Sequence, residues 1–376
     1  MALLRRDFLA LGLAAGASAL LPGRAFATVQ TGTKLHGLSA FGDLKYPAGF
    51  DHFAYVDPNA PKGGAMNFAP PNWGYNQSPL TFNTLNSFAL KGDAPPRMEM
   101  CFDTLMERAL DEPDAVYGLL AESVTLSADR NSFDFALRPA ARWHDGTPLT
   151  AHDVAFSFML YKEKGHPDLL LPLVELKEAV ALDDRTVRLT FSGRQSVQAI
   201  LTAVGMPVVS KAYYEANDFE ASTMIPPLGS GPYKVGRVSA GEFIEYERGA
   251  DYWGVDLPVN RGQDNFGRIR IDFYRDRQAA FQAFKKGDTT FREEFVARVW
   301  ATGYDFPALK QGKVVKREFP GEKWPAMQAI AINQRRERFR DVRVRRALDL
   351  CFDFEWTKRT LFAGSYERSQ SNFERS

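Results

Sequence analysis

Period-two alternation recurs along the chain. Phe133, Phe135 and Leu137 fall on one face of an expected strand, as do Val187, Leu189 and Phe191, and Ile269, Ile271 and Phe273. Residues 65–69, 233–238, 243–247, 314–319 and 327–332 are further expected strands. Helical spacing is clearest after Thr150, where Ala151, Val154, Ala155, Phe158 and Met159 follow the i, i+3, i+4 rule. Asp153 stands three positions after Thr150, the place of a capping-box partner. A second helix is expected from Asp341, with Val344, Ala347, Leu348, Cys351 and Phe354 on one side. Strands and helices mix without a regular βαβ beat, which predicts a mixed α/β architecture of several lobes.

The first 27 residues read as an export signal. Arg5 and Arg6 precede an uncharged stretch from Phe8 to Leu21, too short to span a bilayer, and Ala25-Phe26-Ala27 fits the cleavage rule. Cleavage after Ala27 and a periplasmic destination are expected. Arg5-Arg6-Asp7-Phe8-Leu9 also resembles the twin-arginine signal, with Leu4 where Ser or Thr is usual.

Charge and cysteine usage narrow the class. With 47 basic and 46 acidic side chains the formal charge is +1, which argues against a dedicated nucleic-acid binder. Seven arginines between 335 and 346 are therefore expected to find carboxylates within the chain rather than a polyanion. Cys101 and Cys351 both sit among apolar neighbours and are expected as buried free thiols. Aromatic residues make up 13% of the chain, more than a plain core requires.

Catalytic signatures are missing. There is no G-x-S-x-G, no phosphate loop, no G-x-G-x-x-G and no H-E-x-x-H. His144 and His152 could meet a metal with Asp145 or Asp153 only through folding, and surface or turn histidines are the expected state. Trp143-His144-Asp145-Gly146 reads as a turn before the Thr150 helix. Gly229-Ser230-Gly231-Pro232-Tyr233 is either a close approach to ligand or a tight chain crossover.

Several ordered motifs together resemble one family. Residues 142–157, with Trp143, Asp145-Gly146, Pro148, Thr150-Ala151, Asp153-Val154 and Phe156-Ser157, are similar to the W-x-D-G-x-P-x-T-A-x-D-V-x-F-S segment of family 5 extracellular solute-binding proteins. Gly229–Val235 resembles that family's G-T/S-G-P-Y entry into a strand, followed by Tyr252-Trp253. Residues 339–348 resemble F-x-D-x-R-V-R-x-A-L, with Asp353 downstream. His36–Tyr46, Pro58–Gly64, Ala301–Ala308 and Ala331–Asn333 further resemble the oligopeptide and microcin C branch.

The resemblance implies an α/β, periplasmic binding protein-like fold (class II, with an extra domain). It implies a first lobe from residues 28–75 and 229–325, an extra domain over 76–228, and the start of a second lobe over 326–376. Residues 366–374 match a run that normally continues, so a C-terminally truncated chain with an incomplete second lobe is expected. That missing part would hold the acidic residue that pairs with a peptide's amino terminus. The implied function is the periplasmic, non-enzymatic binding component of an ABC importer. It would capture oligopeptides or peptide-like compounds by two-lobe closure, hand them to inner-membrane permease subunits, act as a monomer, and use no cofactor or metal. Alternatives are a truncated, non-binding fragment, or an exported hydrolase. Asn72, Trp73, Tyr75 and Asn76 are the expected ligand-facing residues, because aromatic faces and amides suit peptide surfaces; Asn83 and Asn86 are weaker candidates.

Overall fold

The computed structural model describes residues 31–70, 74–319 and 329–369. The signal segment, Asn72, Trp73 and the start of the strand expected at 327–332 lie outside the described residues. Met1–Asp276 and Arg277–Ser376 form separate compact units.

Twelve strands are described in the first unit: β1 (Lys34–Leu35), β2 (Gly37–Ser39), β3 (Ala65–Phe68), β4 (Met106–Arg108), β5 (Ala115–Gly118), β6 (Ala121–Leu126), β7 (Ser132–Leu137), β8 (Leu176–Ala181), β9 (Thr186–Phe191), β10 (Tyr233–Ser239), β11 (Phe243–Arg248) and β12 (Arg268–Asp272). They build three sheets, ordered β1-β6-β7-β9-β8, β10-β11-β12-β3 and β2-β5-β4. The alternations read from the sequence hold. Phe133, Phe135, Val187, Leu189, Ile269 and Ile271 are all buried, while their sequence neighbours are half-buried or exposed.

Residues 34–39 hydrogen-bond to strands between 115 and 126, as β1 on β6 and β2 on β5. Tyr46 secures this stretch: its ring stands edge-on to Tyr117 at 5.5 Å and to Phe53 at 5.1 Å. Its hydroxyl donates to Asp111 at 2.6 Å and accepts from the Ala54 amide at 2.9 Å. The H-G-L-S-x-F-G-D-L-K-Y motif is thus a structural strap.

Helix α1 (Ala151–Lys164) starts where expected. Asp153 Oδ2 accepts the Thr150 amide at 2.9 Å, and its Oδ1 accepts the Lys211 amide at 3.0 Å. One carboxylate therefore serves the starts of α1 and of a later helix. Short helices α2 (Pro167–Leu170), α3 (Val197–Val204) and α4 (Lys211–Ala216) follow. In the four-stranded sheet, Ile244, Tyr246, Ile269 and Ile271 face the core. Glu245 points to the opposite side and is buried under Arg237, which grips it with two bonds of 2.8 Å, and Arg270 at 3.1 Å.

The second unit is helical: α5 (Arg277–Lys286), α6 (Ala297–Thr302), α7 (Pro307–Lys310), α8 (Val342–Leu350) and α9 (Phe354–Thr360). Phe281, Tyr304 and Phe306 cluster, with Phe281 and Tyr304 centroids 5.0 Å apart, and Trp300 meets Tyr304 at 5.5 Å. Part of the aromatic excess is therefore packing. The strand expected at 314–319 is irregular, and so are the described residues of 327–332. A strand needs a neighbour to complete its ladder, and no strand is described in this unit. The helix expected from Asp341 splits in two, because Asp353 caps a new helix by accepting the Trp356 amide at 2.8 Å. Cys101 is buried as expected; Cys351, at the end of α8, is exposed. That corrects the expectation: no residue of α8 is buried, so the apolar neighbours of Cys351 give it no cover.

Candidate functional site

β12 and β3 run parallel, the one such pair of strands described, and their carboxyl ends open onto the loops that follow. In open α/β sheets ligands bind beyond such ends. The loop after β3 carries the residues expected to face a ligand.

Tyr75 has φ 51, a left-handed conformation that L side chains rarely adopt. Its ring stands edge-on to Phe88 at 6.0 Å and to His166 at 6.4 Å, and burial pushes its hydroxyl up to about 12. Asn76 Nδ2 donates to the carbonyls of Asn86 at 3.0 Å and Lys91 at 3.2 Å, while its Oδ1 is buried with no hydrogen-bond partner among the described residues. The structure therefore gives Tyr75 a packing contact and Asn76 a tether, with one amide oxygen left over. Asn86 is buried and donates to Phe219 O, and Asn83 Oδ1 accepts the Asp93 amide at 2.9 Å. Both hold loops.

The segment 93–99 runs beside this loop. Ser78 and Ala94 exchange a bond, as do Ala94 and Asn76. Gln77 Oε1 accepts the Gly74 amide at 3.1 Å, and its Nε2 donates to Glu99 Oε2 at 2.8 Å. Next to Glu99 stands Arg97, at φ 73 and ψ 15. That conformation costs a non-glycine residue about 1–2 kcal/mol. It is imposed from both sides: Tyr246 donates its hydroxyl to Pro96 O at 2.7 Å, and Met98 is fully buried. Gln77, Glu99 and Arg97 were not singled out in the sequence, since no motif contains them.

A junction lies further along the same unit. The amides of Ser230 and Gly231 both donate to Cys101 O, and Ser230 Oγ accepts the Asp103 amide at 3.0 Å. A Cβ on Gly229 would lie 2.1 Å from Cys101 O, and one on Gly231 2.6 Å from Met100 O. This resolves the two readings of the glycine turn: it is a chain crossover pressed against 100–103. His144 Nε2 donates to Gly231 O at 2.8 Å, and burial lowers its pKa. Trp143 is buried and Gly146 turns the chain at φ 87, so W-H-D-G is a structural corner. Among the described residues no group of three His, Cys, Asp or Glu is placed to hold a metal ion. Within the arginine run, Arg343 meets the Asp341 carboxylate at 2.6 Å and Arg345 meets the carbonyls of Phe339 and Arg340.

A mixed sheet joined by a close-packed crossover to a largely antiparallel domain, with loops gathered at strand ends, is the architecture of periplasmic binding proteins. Two solved structures share the fold. NikA from Brucella suis, in complex with Fe(III)-EDTA, superposes with a TM-score of 0.62 over 83% of this chain and 59% of its own, at 18% identity. AppA from Bacillus subtilis, in complex with a nonapeptide, gives 0.57 over 82% and 57%, at 20% identity. The family profile for bacterial extracellular solute-binding proteins, family 5, middle region, matches residues 115–375, and the chain belongs to that family. Among relatives, "Probable peptide-binding protein YejA" of Agrobacterium fabrum is 39% identical over 96% of this chain and 59% of its own length. "Peptidoglycan-binding protein YepA" of the same organism is 36% identical over 96% and 59%, and YejA of Escherichia coli is 36% identical over 90% and 54%. The chain thus spans less than two thirds of the length of these relatives.

Proposed function

We propose that this chain belongs to the ligand-capturing component of a bacterial ABC importer. It takes oligopeptides or peptide-like compounds in the periplasm by closure of two lobes, and it breaks no covalent bond. The observation that carries the reading is the loop after β3, where the buried Asn76 amide oxygen has no hydrogen-bond partner among the described residues and lies beside the half-buried Tyr75. A peptide backbone offers matching donors, and backbone bonding gives affinity without side-chain choice. The names of the Agrobacterium relatives, peptide- and peptidoglycan-binding, point to the same ligand class. Export through the 1–27 signal, with a twin-arginine route, and hand-over to a permease complete the proposal.

Thermal melting tests it. A pool of tri- to hexapeptides is expected to raise the melting temperature with concentration, because a ligand at 100 times its Kd adds about 2.7 kcal/mol. A rise with a nickel–histidine complex or an opine, and none with peptides, would replace the ligand class. No response to any of them would favour a non-binding fragment. Peptide cleavage that co-purifies with the chain through successive columns would revive a hydrolase.

A further inference from the structure

Among the described residues of this corner, Arg97 takes a left-handed backbone that its neighbours Pro96 and Met98 impose, and its own side chain holds no hydrogen bond. Six non-glycine residues with positive φ are described, and Tyr75 and Arg97 are two of them, on adjoining segments. Tyr75 uses its conformation to seat a ring against Phe88. Arg97 seats nothing. Its side chain is 40% exposed, and its guanidinium has one ion-pair partner among the described residues, Glu99 at 3.9 Å. That is beyond hydrogen-bond distance. Glu99 is itself taken by Gln77 at 2.8 Å. Glycine would adopt the same backbone freely, so what the position gains from arginine is the charged fork alone.

We propose that Arg97 is a specificity-determining residue that receives the terminal carboxylate of a peptide ligand. The inference rests on the peptide-receptor reading above and deepens it. The planar guanidinium suits a carboxylate, which it can hold by two parallel bonds. The Gly74–Gln77–Glu99 bonds connect the ligand-facing loop to the segment that displays it. Tyr246 and the buried Met98 hold that segment rigid, so the fork is presented without a large ordering cost.

The test compares tri-alanine with tri-alanine amide on the purified chain and on Arg97→Gly and Arg97→Lys, by melting shift and calorimetric titration. Wild type is expected to bind the free acid about tenfold or more tightly than the amide. Arg97→Gly should melt no lower than wild type without ligand, and should bind acid and amide alike. Arg97→Lys should keep part of the preference. An acid preference that persists in Arg97→Gly overturns this inference alone, as does an unliganded Arg97→Gly that melts well below wild type. A wild type that binds neither peptide overturns the receptor reading and this one with it.

Discussion

Tyr252 donates its hydroxyl to Asp103 Oδ1 at 2.6 Å, while Trp253 Nε1 donates to the other oxygen at 2.8 Å. The Tyr-Trp pair and the aspartate are about 150 positions apart in the chain. Asn260 Nδ2 in turn donates to the Tyr252 hydroxyl at 3.0 Å. The aspartate is buried and its carboxylate serves two long-range donors, so the loop after β11 is held to the start of β4 through one side chain.

Asp103→Asn keeps the shape but presents an amide NH₂ to one of the two donors. A buried donor left without its acceptor costs about 1–3 kcal/mol. Urea unfolding followed by tryptophan fluorescence should show that loss. A variant within about 0.5 kcal/mol of wild type, the range of an ordinary surface change, would mean that Asp103 does not hold the junction.

Stability should fall as pH rises through 6–7. Burial pushes Glu107 up to about 7 and Asp264 to about 6. These carboxyls bind protons in the folded chain at pH values where the unfolded chain has released them. Their contribution is therefore present below the ordinary carboxylate range and is lost as pH passes their raised values. Glu245 acts in the opposite sense, because Arg237 holds its pKa down, so its contribution is lost in acid. A melting-temperature profile should peak on the acid side of neutrality. Glu107→Gln should flatten the decline between the ordinary carboxylate range and about pH 7; an unchanged slope would remove Glu107 as a cause.

Gly229→Ala drives a methyl group into a backbone carbonyl that no rotamer change can move. Overpacking of this kind costs about 1–3 kcal/mol. Gly74→Ala meets nothing within 4 Å among the described residues and should be close to neutral. Equal unfolding midpoints for the two variants would contradict the close crossover.

Asp153→Ala removes the cap of α1 and also the acceptor of the Lys211 amide. A cap alone is worth about 1 kcal/mol, so the double role predicts about 2 kcal/mol. Thr150→Ala, which leaves the carboxylate in place, should cost less. The reverse order would show that the carboxylate is not the common anchor.

Much of this was readable from residue order. The alternations at 133–137, 187–191 and 269–273 and the start of the Thr150 helix depend on neighbours within a few residues, and each was found where expected. The failures share a cause. The sheets that take up residues 34–39 were not legible, because their strand partners lie about 80–90 positions away. The stretch at 314–319 has strand-like composition but no described strand to pair with. That the Asn76 NH₂ is spent on the carbonyls of Asn86 and Lys91 was likewise outside the reach of local pattern.

The sequence by itself determined the family, the turn chemistry, the helix caps and the faces of the main strands, because these are set by local geometry and by ordered motifs. Only the tertiary structure decided that the glycine turn is a crossover, that Asp103 is the acceptor for Tyr252 and Trp253, and that Arg97 stands half-buried beside the β3 loop. Those facts come from contacts between distant segments and from a backbone angle imposed by packing. Neither leaves a periodic trace in the order of residues.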